Sequence, residues 1–172
     1  KDLVTLRSRF LPEGRLLHTP ENEAACASCD GLRRAMEEET VLEGVAQLCD
    51  GAHNLLVSVG PFTGFLPREE AALGIAEGTT REIAILSRVG KPVCFQITAL
   101  EESEGVLRPR LSRRRAQQAA LDAMLAGLHP GCILPAVVTH LESFGAFVDI
   151  GCGVPSLIGI ENISVSRIPH PC

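Results

Sequence analysis

A short strand pattern occurs twice in this chain, 91 residues apart, and that repetition limits the possible folds more than any other feature. Residues 55–60 read LLVSVG and residues 146–151 read AFVDIG. Each run is preceded by one strand candidate and followed by a shorter one. Over positions 45–70 an ungapped shift of 91 gives four identities: Val57 with Val148, Gly60 with Gly151, Leu66 with Leu157 and Glu70 with Glu161. So few identities prove little, and the shared apolar alternation carries the reading of two copies of one small β unit. The first copy has five strand candidates between Val41 and Leu111, enough to close a barrel and remove its edges. The second has three, within 131–164.

Local signals fill in the rest. Thr19-Pro20-Glu21-Asn22-Glu23 is a helix start, with Thr as N-cap, Pro at the first helical position and acids in the first turn. It predicts one helix to about Glu39, weakened at Gly31. Strands are expected at 42–48, 55–59, 64–67, 92–100 and 106–111, with Asp50-Gly51 as a turn. Residues 113–125, RRRAQQAALDAML, are strong helix formers ended by Gly127. The expected class is mainly β with helices. It comprises an N-terminal extension with a helix over 1–40, a five-stranded barrel over 41–112, a linking helix over 113–127, and the first three strands of a second barrel over 128–172. Both chain ends are read as cut from a longer protein.

Composition excludes several function classes. With 45% hydrophobic and 22% charged residues the chain is globular. It has no apolar run near 18 residues and no leader-like N-terminus, so no membrane partner is expected. Seven cysteines, an odd and scattered set, point to a reduced, cytoplasmic protein. No paired carboxylates, phosphate loop or nucleophile elbow is found, and Gly151-x-Gly153 ends a strand without a following helix. The expectation is a non-enzyme with no cofactor and no small-molecule substrate. Cys26-x-x-Cys29 with Cys49-x-x-x-His53 has zinc-like ligand types, but helix and hairpin positions explain those residues without a metal.

The net charge of −5 argues against a nucleic-acid partner, yet residues 79–126 hold 8 basic and 5 acidic side chains. Arg113, Arg114 and Arg115 stand at a helix start, where cations are unfavourable, which hints that they serve a partner. Phe144 and Phe147, two of only six Phe in a chain without Trp or Tyr, flank Gly145 in SFGAFVDIG. They are either core residues or exposed rings on which bases stack. On a continuous strand, i and i+3 point to opposite faces, and a Gly beside a hairpin can re-aim the first ring.

The run PAVV, then FGAFVDIG, then a Ser-Leu-Ile strand and IENIS resembles the S-one RNA-binding domain, the repeated module of a bacterial small-subunit ribosomal protein. Val89-Gly90-Lys91-Pro92-Val93 and Leu107-Arg108-Pro109-Arg110-Leu111-Ser112-Arg113 resemble the family's later strands. The resemblance covers about 41–168 and is most specific over 131–164. It implies a five-stranded oligonucleotide-binding barrel, with Phe144 and Phe147 at the family's two aromatic positions. The family's frequent histidine near Gly159 or Ile160 is missing here. Shifted by 91, His53 falls opposite Phe144, Leu56 opposite Phe147, and Arg68 opposite Gly159. The residues expected to meet RNA are thus Phe144, Phe147, His140, His53, Arg68, Arg88, Lys91, Arg108, Arg110 and Arg113. The expected partners are single-stranded RNA and the small ribosomal subunit or its proteins. The alternatives are a protein-docking module with little RNA contact, or an accessory region of a larger enzyme.

Overall fold

The computed structural model describes residues 10–163; Cys172 and the last residues of the resemblance lie outside them. Two helices come first, α1 (Pro20–Cys26) and α2 (Cys29–Glu37). The Thr19 cap forms, its hydroxyl accepting from the Asn22 N–H at 3.3 Å. The single long helix does not form. Ser28 has extended backbone and its hydroxyl accepts from the Gly31 N–H, so it caps a second helix and breaks the first. Leu32 and Ala35 of α2 are buried against the barrel.

Five strands close the first barrel: β1 (Leu42–Cys49), β2 (Leu55–Val59), β3 (Phe62–Leu66), β4 (Pro92–Ser103) and β5 (Val106–Ser112), in the order β1-β2-β3-β5-β4. Neighbours are antiparallel except β3 and β5, which meet in parallel at Phe65 and Arg110. The period of two read from the sequence decides what is inside. Leu55, Val57 and Val59 are buried in β2 while Leu56 and Ser58 face outward, and Val93, Phe95 and Ile97 fill the interior from β4. A short helix, α3 (Ile83–Leu86), lies in the connection between β3 and β4. The linking helix, α4 (Arg113–Gly127), is capped by the Ser112 hydroxyl and buries Ala116, Ala120 and Met124.

The second unit is a sheet of β6 (Val137–Glu142), β7 (Gly145–Asp149) and β8 (Pro155–Gly159) in sequence order. Its ladders repeat those of the first. Leu48 pairs with Leu56 as His140 pairs with Phe147, and both first strands carry a bulge, at Gln47 and at Thr139. Leu56 pairs with Phe65 as Phe147 pairs with Leu157. Matched by register, β2 and β7 are 91 apart, but the flanking strands are 92 apart. The first hairpin is one residue shorter in the second unit and the second hairpin one longer. His140 is therefore the counterpart of Leu48 rather than of Cys49, and Ile160, not Gly159, is the counterpart of Arg68.

Among the described residues, β4 and β5 have no counterpart in the second unit. Its inner wall shows the consequence. Val138 and Ile158 are 57% and 38% exposed, whereas their counterparts Ala46 and Leu66 are 0% exposed.

The two units meet in a second core of Phe10, Val41, Cys94, Ala116, Ala120, Met124, Cys152 and Val154. Polar groups register this joint. Arg113 donates from Nε to Glu13 Oε2 at 2.9 Å and from Nη2 to Oε1 at 2.5 Å, and from Nη1 to the Ala71 carbonyl. The Cys94 N–H also donates to Glu13 Oε2. On the other side, the Glu13 N–H donates to Asp149 Oδ2 at 2.8 Å and the Cys152 N–H to the Leu11 carbonyl at 2.9 Å. Asp149 Oδ1 accepts from Gly151 and Gly153 N–H groups, shaping the β7–β8 turn. Gly153 has φ +73, and a Cβ there would stand 2.4 Å from Arg113 Nη2 and Glu13 Oε1, so the turn can enter only as glycine. Burial alone would raise the Glu13 carboxyl. The charge and hydrogen bonds of Arg113, with Arg88 and the Cys94 N–H, outweigh it and hold Glu13 below the ordinary range.

Glu43 on β1 is 1% exposed, and burial pushes its carboxyl up to about 7. The Gly14, Leu16 and Leu17 N–H groups oppose that rise and the Glu13 charge adds to it. Oε2 accepts from Gly14 at 2.9 Å, while Oε1 has no close hydrogen-bond partner among the described residues. The folded chain thus holds a proton that the unfolded chain releases between its ordinary value of 4.5 and about 7. This contribution is full below pH 4.5 and is lost as pH rises to about 7. Glu43→Gln is expected to raise the unfolding free energy by about 3 kcal/mol at pH 8, with little gain near pH 4.5. The size follows because each tenfold change in proton affinity between the folded and unfolded chain is worth about 1.4 kcal/mol. Urea unfolding at both pH values measures this, and a gain that does not grow with pH refutes it.

Candidate nucleic-acid interface

In β7, Ala146 and Val148 point to the inner wall, so Phe147 between them points out. It lies directly opposite His140 on β6 and Leu157 on β8. Phe144 is not on the strand at all. It occupies the two-residue tip between β6 and β7, outside the period of two, and its ring therefore reaches the same side as Phe147. The two rings meet edge-to-face with centroids 6.2 Å apart. Gly145 serves a different purpose from re-aiming the ring: a Cβ there would stand 2.3 Å from the Ile158 carbonyl oxygen, so it lets β8 approach. The His140 ring is tilted 6.3 Å from Phe147, and its Nε2 is 2.6 Å from Glu142 Oε1. Phe144 is 52% and Leu157 49% exposed. Three rings and an aliphatic side chain thus share one outer face.

The first unit fills the same positions differently. Leu48, Leu56 and Phe65 form the outer row, and His53 stands at the hairpin tip with φ +63. Arg110 lies over the Phe65 ring at 5.5 Å and within 3.6 Å of Glu101 Oε1. Phe65 was missed in the sequence because its outward direction depends on the β2–β3 register. Alternation would have found it, since Phe65 lies between the inward-facing Gly64 and Leu66.

The cations divide sharply. Arg113 is no candidate for phosphate, because its side chain is 7% exposed and is committed to Glu13. Arg88 is largely buried, donating to the Pro92 carbonyl and lying 3.7 Å from Glu13 Oε1. Arg114 pairs with Glu70 at 3.0 Å. Arg113 and Arg114 at the start of α4 are thus offset by acids from residues 13 and 70, not reserved for a partner. Arg68 donates from Nε and Nη2 to Glu82 Oε1 at 2.7 Å, and His53 Nδ1 is 2.8 Å from Glu82 Oε2. Of the expected cations, Lys91 and Arg108 are exposed and have no acidic partner among the described residues. The possible zinc set is not assembled. No group of three or more His, Cys, Asp or Glu is placed to hold a metal among the described residues. Cys26 is buried, which pushes its thiol up to about 11. No helix of the described residues is long and apolar enough to cross a membrane.

No family model matches the chain. It is similar to the small ribosomal subunit protein bS1 of several bacteria. The Neisseria meningitidis serogroup B protein is 26% identical over 174 residues, covering 98% of this chain and 29% of that one. The Mycobacterium tuberculosis protein is 28% identical over 164 residues, covering 92% and 32%. The Leuconostoc lactis protein is 30% identical over 132 residues, covering 76% and 29%. The chain therefore spans about a third of the length of these curated relatives.

Proposed function

We propose that this chain, an S-one-domain protein resembling the small ribosomal subunit protein bS1, binds single-stranded RNA in the cytoplasmic translation machinery through its second unit. The observation that carries the reading is the outward-facing ring set Phe144, Phe147 and His140 on β6–β7, with Phe144 and His140 exposed and Phe147 half-buried between them. Unpaired bases offer flat faces to such rings, whereas paired bases are already stacked. Lys91 and Arg108 would add the few phosphate contacts that the first unit leaves open. The small ribosomal subunit is the assembly in which the chain would meet that RNA.

Binding of a 12-nucleotide single-stranded RNA, with single-stranded and duplex competitors, tests this. Single-stranded competitor is expected to displace the probe and duplex is not. Salt dependence gives a second check. Since Arg68, Arg88, Arg110 and Arg113 are paired with acids, only Lys91 and Arg108 of the expected cations are left, and one or two phosphate contacts remain. The slope of log K against log salt should then be shallow, about −0.7 to −1.5. Equal displacement by duplex, or a slope steeper than about −4, defeats the stacking reading. Docking of the first unit on a ribosomal protein is a second reading. It is favoured by the acidic partners that neutralise the first unit's cations. Retention on ribosomes after ribonuclease treatment supports docking, and release opposes it.

A further inference from the structure

The first unit presents His53 at the position of Phe144 and Arg68 at that of Ile160, the first residue of the one-turn helix that follows the third strand in each unit. Both side chains close on a single carboxylate, Glu82, carried by the connection between β3 and β4. Histidine Nδ1 takes one oxygen at 2.8 Å and the arginine takes the other at 2.7 Å. The hold is built from below, since the Asn54 side-chain carbonyl accepts from the Arg68 N–H at 2.8 Å. Its side chains remain within reach of solvent: His53, Arg68 and Glu82 are 32%, 34% and 41% exposed.

A phosphodiester carries one negative charge on two free oxygens, as a carboxylate does. A histidine and an arginine that each take one oxygen of a carboxylate are the donors such a phosphate requires. We propose that the first unit contains a second site for nucleic-acid backbone, formed by His53 and Arg68, and that Glu82 occupies it as an internal stand-in for the phosphate. The chain would then bind RNA with its second unit while the first stays closed unless Glu82 is displaced. This inference rests on a nucleic-acid partner but not on the rings of the second unit.

The test uses the full chain with Phe144→Ala and Phe147→Ala, so that the second unit contributes no stacking. In that background Glu82→Gln keeps the side-chain volume and removes the charge. Affinity for the 12-nucleotide RNA at low salt is expected to rise about fivefold, and the salt slope to steepen by about 0.7, one phosphate contact. Adding Arg68→Ala should remove the gain. No gain in a variant with an unchanged circular dichroism spectrum, or a gain that survives Arg68→Ala, overturns the proposal. If Glu82→Gln does not fold, His53→Ala decides with Glu82 intact. Affinity within about twofold of the parent agrees with an already occupied site, and a larger loss shows that His53 was open to RNA all along. If the ring variants bind as well as the unaltered chain, the stacking reading fails, yet the Glu82 comparison still stands.

Discussion

Replacing Phe144 and Phe147 together by alanine is expected to weaken binding of a single-stranded oligoribonucleotide by about 30- to 1000-fold while leaving the fold unchanged. The magnitude follows from about 1–3 kcal/mol per stacked base, taken as about 2–4 kcal/mol for two rings that touch and so do not act independently. The fold should survive because the rings are not what builds the hairpin. The first unit makes the same bulged ladder with His53 and Leu56 in their places. Phe144 is half exposed, so its truncation removes little buried area. Affinity by filter binding and stability by urea unfolding, measured on the same samples, separate the two effects. A loss below about threefold, or a loss that tracks unfolding, rejects the ring face as the binding surface. Single substitutions should rank the rings. Phe147 touches both other rings, so Phe147→Ala is expected to cost more than Phe144→Ala.

Arg113→Met is expected to lower the unfolding free energy by about 3–5 kcal/mol, the usual cost of leaving a buried charge without its partner. Glu13 would then face Asp149 with its main counter-charge gone. The pH dependence has a definite sign. Glu13 titrates below its ordinary value in the folded chain, so its contribution is present above about 4.5 and lost as pH falls through its folded value. The penalty of Arg113→Met should therefore be largest near neutrality and shrink toward pH 4, where an unpaired Glu13 can take a proton. Adding Glu13→Leu should recover part of the loss, because an apolar pair of similar volume needs no counter-charge. Urea unfolding at pH 7 and pH 4.5 measures all of this. A loss under about 1 kcal/mol at pH 7 means that the ion pair does not fasten the joint. Because the same groups join Glu13, Asp149 and the Gly151–Gly153 turn, the variant should also free the second unit from the first, seen as faster amide exchange in β6–β8.

Much of the architecture was legible along the chain. Alternation in LLVSV and in Val93-Phe95-Ile97 assigned both strand type and buried face, since a period of two leaves one choice once one side must be apolar. Thr19 announced a helix start, the helix formers of 113–125 announced the linking helix, and the recurring strand pattern announced a second unit. The break at Ser28 was also available in principle, because a serine three residues ahead of a free N–H is a cap signal. It was outweighed by the apparent continuity of 20–39.

The site was only half legible. The sequence marked Phe144 and Phe147 but left open whether they are core or exposed; strand pairing decided it, with Phe147 outward between buried Ala146 and Val148 and Phe144 at the hairpin tip. The fate of the cations did not follow. Arg113 is 100 positions from Glu13, and Arg68 is 14 from Glu82, so no local window contains both members of either pair. A charged residue reads the same in sequence whether it meets water, a phosphate or a carboxylate brought from elsewhere. The amino-acid sequence by itself determined the strands, the repeat and the rings, because these rest on short-range periodicity and steric turn rules. Only the tertiary structure decided register, one residue off the ungapped match, and which arginines are spent inside the protein. Both depend on pairings through space, where bulges, hairpin lengths and distant acids set the outcome.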